Sequence, residues 1–156
     1  MTTVREGGTG SVSEFDVQPE FMPDRFEPGS HNTLGIIGLS EGIRFIQERG
    51  VDQLWAHELR LIERMIHGIR ESDVEGLTLY GPQGVENRCG VFSVRVEGFE
   101  SPNELAAVLE DEFGLLTRPG LHCAPGIHRT LGTDLAGGTT RFSFGPFVEI
   151  KMLTSR

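Results

Sequence analysis

Apolar residues recur at helical spacing in two consecutive stretches of the first half of the chain. The stretch 34–49, "LGIIGLSEGIRFIQER", predicts a helix that ends at Gly50, because glycine readily adopts the left-handed conformation that stops a helix. The next stretch, 51–70, predicts a second helix whose inner face is apolar except for Glu58. Residues 1–33 are rich in Gly, Ser, Thr and Pro and show no sustained period, so we expect loop there.

The second half alternates short strand patterns with one strong helix pattern. Strands are predicted at four places: 77–80, 89–96, 115–118 and 139–144. Between the second and the third lies a helix with an N-cap serine, a proline at its first position, a glutamate that completes a capping box and a terminating glycine: Ser101, Pro102, Glu104 and Gly114. A shorter helix is expected near residue 124. This order predicts an α+β domain, in which helices cover one face of a small mixed or antiparallel sheet of about four strands.

Charge and cysteine content narrow the classes of function. The 14 Lys and Arg against 23 Asp and Glu give a formal net charge of -9, which disfavours nucleic acid and anionic membranes as partners. No apolar run approaches the roughly 20 residues of a membrane span, and the first residues lack the apolar core of a signal peptide. Two cysteines, Cys89 and Cys123, make no disulfide framework, so we expect a cytoplasmic protein. Cys89 opens a strand pattern and is expected to be buried.

The stretch "RPGLHCAPG", 118–126, places a thiol, a histidine and an arginine on a loop broken by Gly and Pro. Arg118, His122 and the helix expected just after Cys123 favour the thiolate, because positive charge and helix N-termini stabilise it. With His128 the loop offers three metal ligands, but no second ligand pair closes a tetrahedral site, so we predict no metal. At this point Cys123 is either a reactive nucleophile or a small buried residue.

Four blocks of the sequence, in order, resemble the cysteine desulfurase branch of class V aminotransferases, which are pyridoxal phosphate (PLP) enzymes of fold type I. They are "GGTGS" at 7–11, "QPEFMPDRFEPGSHNTLGIIGL" at 18–39, "LYGPQG" at 79–84, and "TRPGLHCAPGIHRTLGT" at 117–133 followed by "GTTRFSFGPF". The resemblance extends from about Gly7 to Phe147 and identifies the chain with the C-terminal part of such an enzyme.

The resemblance implies an activity and roles for individual residues. Cysteine would be converted to alanine while Cys123, as the loop nucleophile, accepts the sulfur as a persulfide. Arg141 matches the arginine that binds the substrate carboxylate through its planar fork. Arg118, at the mouth of the loop, and His122 are further candidates for substrate binding. The alternative for Arg118 and Arg141 is an ordinary surface arginine.

The resemblance also implies a cofactor and partners. Ser30 stands where relatives usually carry Thr, in a segment that reaches across a dimer to the partner's PLP phosphate, and the open backbone N–H groups beside Gly29 suit a phosphate. A plain turn is the alternative. Residues 1–33 would then pack on a large domain and a partner subunit, and residues 34–156 would form the small domain with its connecting helices. A homodimer or a separate large-domain half is expected, and a sulfur-acceptor protein is a further candidate partner.

The family's PLP lysine precedes the "GGTGS" block, and the single lysine here, Lys151, lies beyond the last matched strand. We therefore expect a fragment that holds the small-domain half of the active site and does not bind PLP covalently by itself. The leading prediction is the C-terminal portion of a PLP-dependent cysteine desulfurase-like enzyme. One alternative is a class V aminotransferase or epimerase that acts on another amino acid. The other is a non-catalytic remnant that dimerises or binds a partner.

Overall fold

The computed structural model describes residues 2–8 and 10–150, so that Lys151 lies outside the described residues. The chain divides into two units, of which the first ends at Arg49 and the second begins at Gly50. The division expected after residue 33 stays a prediction.

The first unit is a loop segment followed by helix α1 (Thr33–Arg49). The loop is tied to itself in two places. Buried Gln18 donates through its side-chain amide to the carbonyl of Asp24 at 2.9 Å, and the amide of Gly29 donates to the carbonyl of Gly8 at 2.7 Å. The predicted helix at 34–49 is confirmed, and its apolar residues are exposed: Leu34, Ile36, Ile37, Leu39, Ile43 and Ile46.

The second unit contains three further helices and four strands within the described residues. In chain order these are α2 (Val51–Glu71), β1 (Leu77–Tyr80), β2 (Val91–Val96), α3 (Pro102–Phe113), β3 (Arg118–Gly120), α4 (Pro125–Leu131) and β4 (Thr139–Ser143). The strands form one sheet in the order β1-β2-β4-β3, and each neighbouring pair is antiparallel. The predicted α+β class is confirmed. None of the described helices combines the length and the apolar character needed to cross a membrane.

The core lies between α2 and one face of the sheet. Ile62 and Ile66 of α2 pack with Phe92 of β2, because these apolar residues recur on one side of each element. Helix α3 covers the same face, since Thr140, opposite Val94 on that face, donates to the carbonyl of Pro102 at 3.0 Å. The other face of the sheet, which carries polar side chains, therefore remains available for a site.

The polar interruption in α2 has a structural explanation. The carboxylate of Glu58 accepts a hydrogen bond of 2.6 Å from the amide of Gly90, just before β2. A Cβ at Gly90 would lie 3.0 Å from that carboxylate and 3.2 Å from the Cβ of Phe144, so a larger residue would crowd both. Glu58 thus joins α2 to the start of β2.

Three of the four strands differ in their bounds from the prediction, and the last of them only by ending at Ser143 rather than at residue 144. The third strand is 118–120 rather than 115–118, because Gly114 ends α3 in the left-handed conformation and the amide of Leu115 donates back to Leu109. The second strand begins at Val91 rather than at residue 89. Cys89 is exposed, which corrects the prediction that it is buried, because its carbonyl accepts from Val91 in a turn that precedes the ladder.

Candidate functional site

The pairing of β3 with β4 places two arginines side by side on the face that α2 and α3 leave uncovered. Arg118 is directly opposite Arg141, and Arg141 is directly opposite Ser93 on the other side. Residues that face each other across antiparallel strands project on the same side, and like charges in such pairs destabilise a sheet. Two arginines at facing positions are therefore a costly arrangement that an anionic ligand would relieve.

A close backbone approach positions the loop that follows β3. Gly138, just before β4, has a φ of +98°, and a Cβ added there would lie 2.1 Å from the carbonyl oxygen of Gly120. Only glycine can occupy this position without displacing the chain, because it has no Cβ and tolerates a positive φ. The end of β3 and the loop after it are thereby held against the start of β4.

The cysteine loop itself contains two consecutive residues with positive φ. His122 has φ +54° and Cys123 has φ +60°, and the turn is closed by the amide of Ala124, which donates to the carbonyl of Leu121 at 2.9 Å. The left-handed conformation costs a non-glycine residue roughly 1–2 kcal/mol, so the surroundings must hold the turn. The outcome is an exposed thiol whose Sγ accepts a hydrogen bond of 3.3 Å from Nη2 of Arg118.

His122 turns its ring inward toward β4. Its Nε2 shares a hydrogen bond of 3.1 Å with Oγ1 of Thr139, a fully buried residue. Burial lowers the pKa of His122 below its ordinary value of 6.5, and the positive charges of Arg141, His128 and Arg118 lower it further. The ring is therefore neutral at pH 7 and adds no third charge to the two arginines.

Two buried nitrogens in this site lack a hydrogen-bond partner among the residues that the structure describes. They are Nε of Arg141 and Nδ1 of His122. Such unpaired buried groups are uncommon in native proteins and call for an explanation. A guanidinium group pairs well with the two oxygens of a carboxylate, so a small carboxylate-bearing molecule suits the Arg141 side chain.

The candidates for phosphate binding, Gly29 and Ser30, lie in the first unit and are both exposed. Gly29 has φ +79°, but its amide is already engaged with the carbonyl of Gly8. The part of the chain that the structure describes contains no lysine to form a Schiff base. The described residues therefore provide no amine for covalent attachment of PLP, although the Ser30 hydroxyl suits a phosphate oxygen.

The second cysteine provides a contrast within the same unit. Cys89 is also exposed, but the preceding residue, Arg88, is buried and directs its guanidinium group to backbone carbonyls, those of Pro82 and Val91. That group also lies 4.3 Å from the ring centroid of Phe92, and its burial lowers the pKa of Arg88. Exposure alone thus does not distinguish the two thiols, whereas the contact with Arg118 does.

Sequence reasoning missed some of the residues that shape this site. Thr139 and Thr133 are buried polar residues that bond to ring nitrogens of His122 and His128, and the sequence singled out neither threonine. The bond between Thr133 and His128 is local, across five positions, whereas Thr139 and His122 are 17 positions apart and meet through the tertiary fold. No group of three or more His, Cys, Asp or Glu that could hold a metal ion is found among the described residues.

The chain is similar in sequence to proteins of a known family. The model of the family Aminotransferase class-V matches residues 2–153. A probable cysteine desulfurase of Pyrococcus abyssi is 36% identical over 122 residues, which are 78% of this chain and 28% of the relative. Probable cysteine desulfurase 2 of Mycobacterium leprae is 32% identical over 125 residues, which are 80% of this chain and again 28% of the relative.

A solved structure agrees with these relatives in sequence and in fold. The apo structure of a cysteine desulfurase from Thermococcus onnurineus NA1 superposes with a TM-score of 0.78 at 33% identity, covering 89% of this chain and 33% of that one. This chain therefore spans a third or less of the length of these relatives. Since the family model nevertheless spans nearly all of the residues present, the chain belongs to the class-V aminotransferase family.

Proposed function

We propose that this chain carries the small-domain half of the active site of a cysteine desulfurase-like enzyme, with Cys123 as the sulfur-accepting nucleophile. One observation carries the proposal: an exposed thiol on a left-handed turn accepts a hydrogen bond from Arg118, which lies opposite Arg141. A guanidinium group beside a thiol favours the thiolate, and the thiolate is the nucleophilic form. Family membership and relatives named as cysteine desulfurases support the same activity.

The proposed reaction transfers sulfur from the cysteine substrate to Cys123. The thiolate of Cys123 attacks the sulfur of the cysteine substrate, so that an S–S bond forms and the substrate C–S bond breaks. The substrate carbon keeps the electron pair and takes up a proton, which gives alanine and a persulfide on Cys123. The carbon requires an electron sink, the chemistry that PLP supplies when it is bound in a complete enzyme.

The remaining candidates bind and orient the substrate. Arg141 pairs with its carboxylate through two N–H groups, and its buried Nε provides one of them. Arg118 holds the loop thiol and adds positive potential at the same face. His122, neutral at pH 7, lines the site with an unpaired Nδ1 that suits a polar group of the substrate.

The complete enzyme extends the proposal beyond this chain. We place Gly29 and Ser30 at the PLP phosphate, with residues 1–33 packed on a large domain and a partner subunit, and residues 34–156 as the small domain. The lysine that holds PLP would come from the large-domain half, in a homodimer or from a separate chain. A sulfur-acceptor protein and a cytoplasmic location belong to the same proposal.

The two cysteines allow a direct test in one sample. We expect Cys123 to react with iodoacetamide at neutral pH severalfold faster than Cys89, because Arg118 donates to the Cys123 thiol, whereas Arg88, beside Cys89, donates to backbone carbonyls. Peptide mass spectrometry after timed quenching measures both rates, and the Cys123→Ser variant confirms the assignment. Equal rates, or a faster Cys89, would contradict the nucleophilic role and favour an aminotransferase, an epimerase or a binding protein in which Cys123 is incidental.

A further inference from the structure

A buried histidine that the proposed function does not use lies behind the cysteine loop. His128, on α4, is 3% exposed, and its Nδ1 is 2.7 Å from Oγ1 of Thr133. Thr133 is 1% exposed, and its amide donates to the carbonyl of His128 at 2.9 Å. Both the ring and the backbone of His128 are thus bonded to a residue that cannot move without opening the interior.

His128 in turn contacts the residue that precedes the cysteine. The rings of His128 and His122 have centroids 5.5 Å apart and are tilted by 51°. On its other side His122 is bonded to Thr139, which is fully buried on β4. The His122 ring is therefore held between α4 and β4, with a buried threonine at each end of the chain of contacts.

This arrangement explains how the strained turn persists. His122 and Cys123 both have positive φ, a conformation that non-glycine residues keep only where the surroundings over-determine it. The thiol is exposed, and Arg118, which donates to it, is exposed as well, so this bond gives the turn little support. The side chain of His122 is the part of the turn that packs inward, and whatever fixes this ring also fixes the Cys123 backbone.

We propose that His128, fixed by Thr133, is a positioning residue that holds the His122 ring and thereby keeps Cys123 in the left-handed turn beside Arg118. His128 itself need contact neither the thiol nor a substrate, because it acts through His122. The inference rests on the proposed role of Cys123 as a nucleophile. The inference is tested through the reactivity of the Cys123 thiol. If His128 only stabilised the fold, this reactivity would be unchanged in a folded variant.

The test compares two substitutions at Thr133 in the full chain. Thr133→Val keeps the branched shape and removes the hydroxyl, whereas Thr133→Ser keeps the hydroxyl and restores the bond to His128. We expect the Cys123 alkylation rate to fall about twofold to tenfold in the valine variant, because losing one hydrogen bond lowers the population of the left-handed turn by about that factor. In the serine variant the rate should stay near that of the wild type. The preference of Cys123 for anionic iodoacetate over neutral iodoacetamide should fall as well, because the thiol leaves the guanidinium group.

One internal measurement and a second variant keep the outcomes distinct. The alkylation rate of Cys89 reports general loosening, and it should stay constant. His128→Phe is the second variant in case Thr133→Val does not fold, since it retains an aromatic ring while Thr133 can still donate to the carbonyl of residue 128. Wild-type Cys123 reactivity in folded Thr133→Val and His128→Phe would overturn the inference, as would equal loss in the valine and serine variants. Wild-type Cys123 reacting no faster than Cys89 would instead contradict the proposed function.

Discussion

At Cys123 the backbone conformation and the charge environment act together. Two left-handed residues in succession present the thiol to solvent, and the register of β3 with β4 places Arg118 within hydrogen-bond reach of it. Reactive cysteines are typically partly exposed and lie near positive charge, whereas structural cysteines are buried among apolar side chains. Cys123 meets both criteria, which supports its proposed role as a nucleophile.

Arg141 is the residue whose exact geometry should matter most to a substrate. In an enzyme complemented with its large-domain half, Arg141→Lys should raise the Michaelis constant for cysteine about tenfold or more, because an ammonium group cannot reproduce a bidentate pair with a carboxylate. Arg95→Lys is the matched control, since Arg95 lies on the same face of β2, two residues from Ser93. Steady-state kinetics measures both variants, and an unchanged Michaelis constant in Arg141→Lys would exclude the carboxylate role.

The lowered pKa of His122 predicts a pH dependence of stability. The neutral ring is favoured in the folded state, so that between the folded pKa and the ordinary 6.5 the unfolded chain binds more protons. Stability is therefore fully present above pH 6.5 and declines as the pH falls through the folded pKa. We expect a His122 proton resonance that titrates below 6.5, and a shallower acid-side loss of stability in His122→Asn, since asparagine tolerates a positive φ. A resonance titrating at or above 6.5 would contradict this cause.

At the scale of elements, the contact between the start of β4 and the end of β3 positions the site. Gly138→Ala should lower the free energy of unfolding by roughly 2–5 kcal/mol, through the clash with Gly120 and the positive φ. Gly137→Ala is the matched control, because Gly137 also has positive φ while its added Cβ would lie at an ordinary 3.6 Å from Pro102. Gly137→Ala should lower the free energy of unfolding by about 1–2 kcal/mol. Urea unfolding measures the difference, and equal losses would show that the close approach is not limiting.

The elements also differ in how far their sequences predict them. Helix α3 was predicted well, because its cap is local: Ser101 accepts from the amide of Glu104 at 3.3 Å. One detail differs, since the Glu104 carboxylate accepts from the amide of Glu100 rather than that of Ser101. Strand β3 was placed three residues too early, because its pairing with β4 is a long-range contact that no local pattern records.

In the chain as a whole, the scarcity of side-chain amines limits covalent binding of PLP. Lys151 provides the single side-chain amine, and we expect no stable PLP absorption band and no alanine production from cysteine with PLP in excess. Titration with PLP, borohydride reduction and mass analysis for a pyridoxyl-lysine adduct test this expectation. A stoichiometric adduct on Lys151 together with alanine production would show that the chain is a catalyst by itself.

The sequence alone determined the helices, the approximate strands, the family and the identity of the candidate nucleophile. Helical periodicity, capping residues and glycine stops act within a few residues, and the four matching blocks are properties of residue order, so none of these requires a folded chain. The apolar face of α2 was predictable for the same reason, including its polar interruption at Glu58.

Which side chains meet depends on how the elements pair and pack in the folded chain. Arg118 and Arg141 are 23 positions apart in the chain, and strand register alone makes them neighbours. Tertiary packing likewise brings the amide of Gly90 to the carboxylate of Glu58 and the ring of His122 to Thr139, and it leaves Cys89 exposed. Contacts between distant residues arise from the pairing and packing of whole elements, and a linear pattern specifies the elements but not the distances between them.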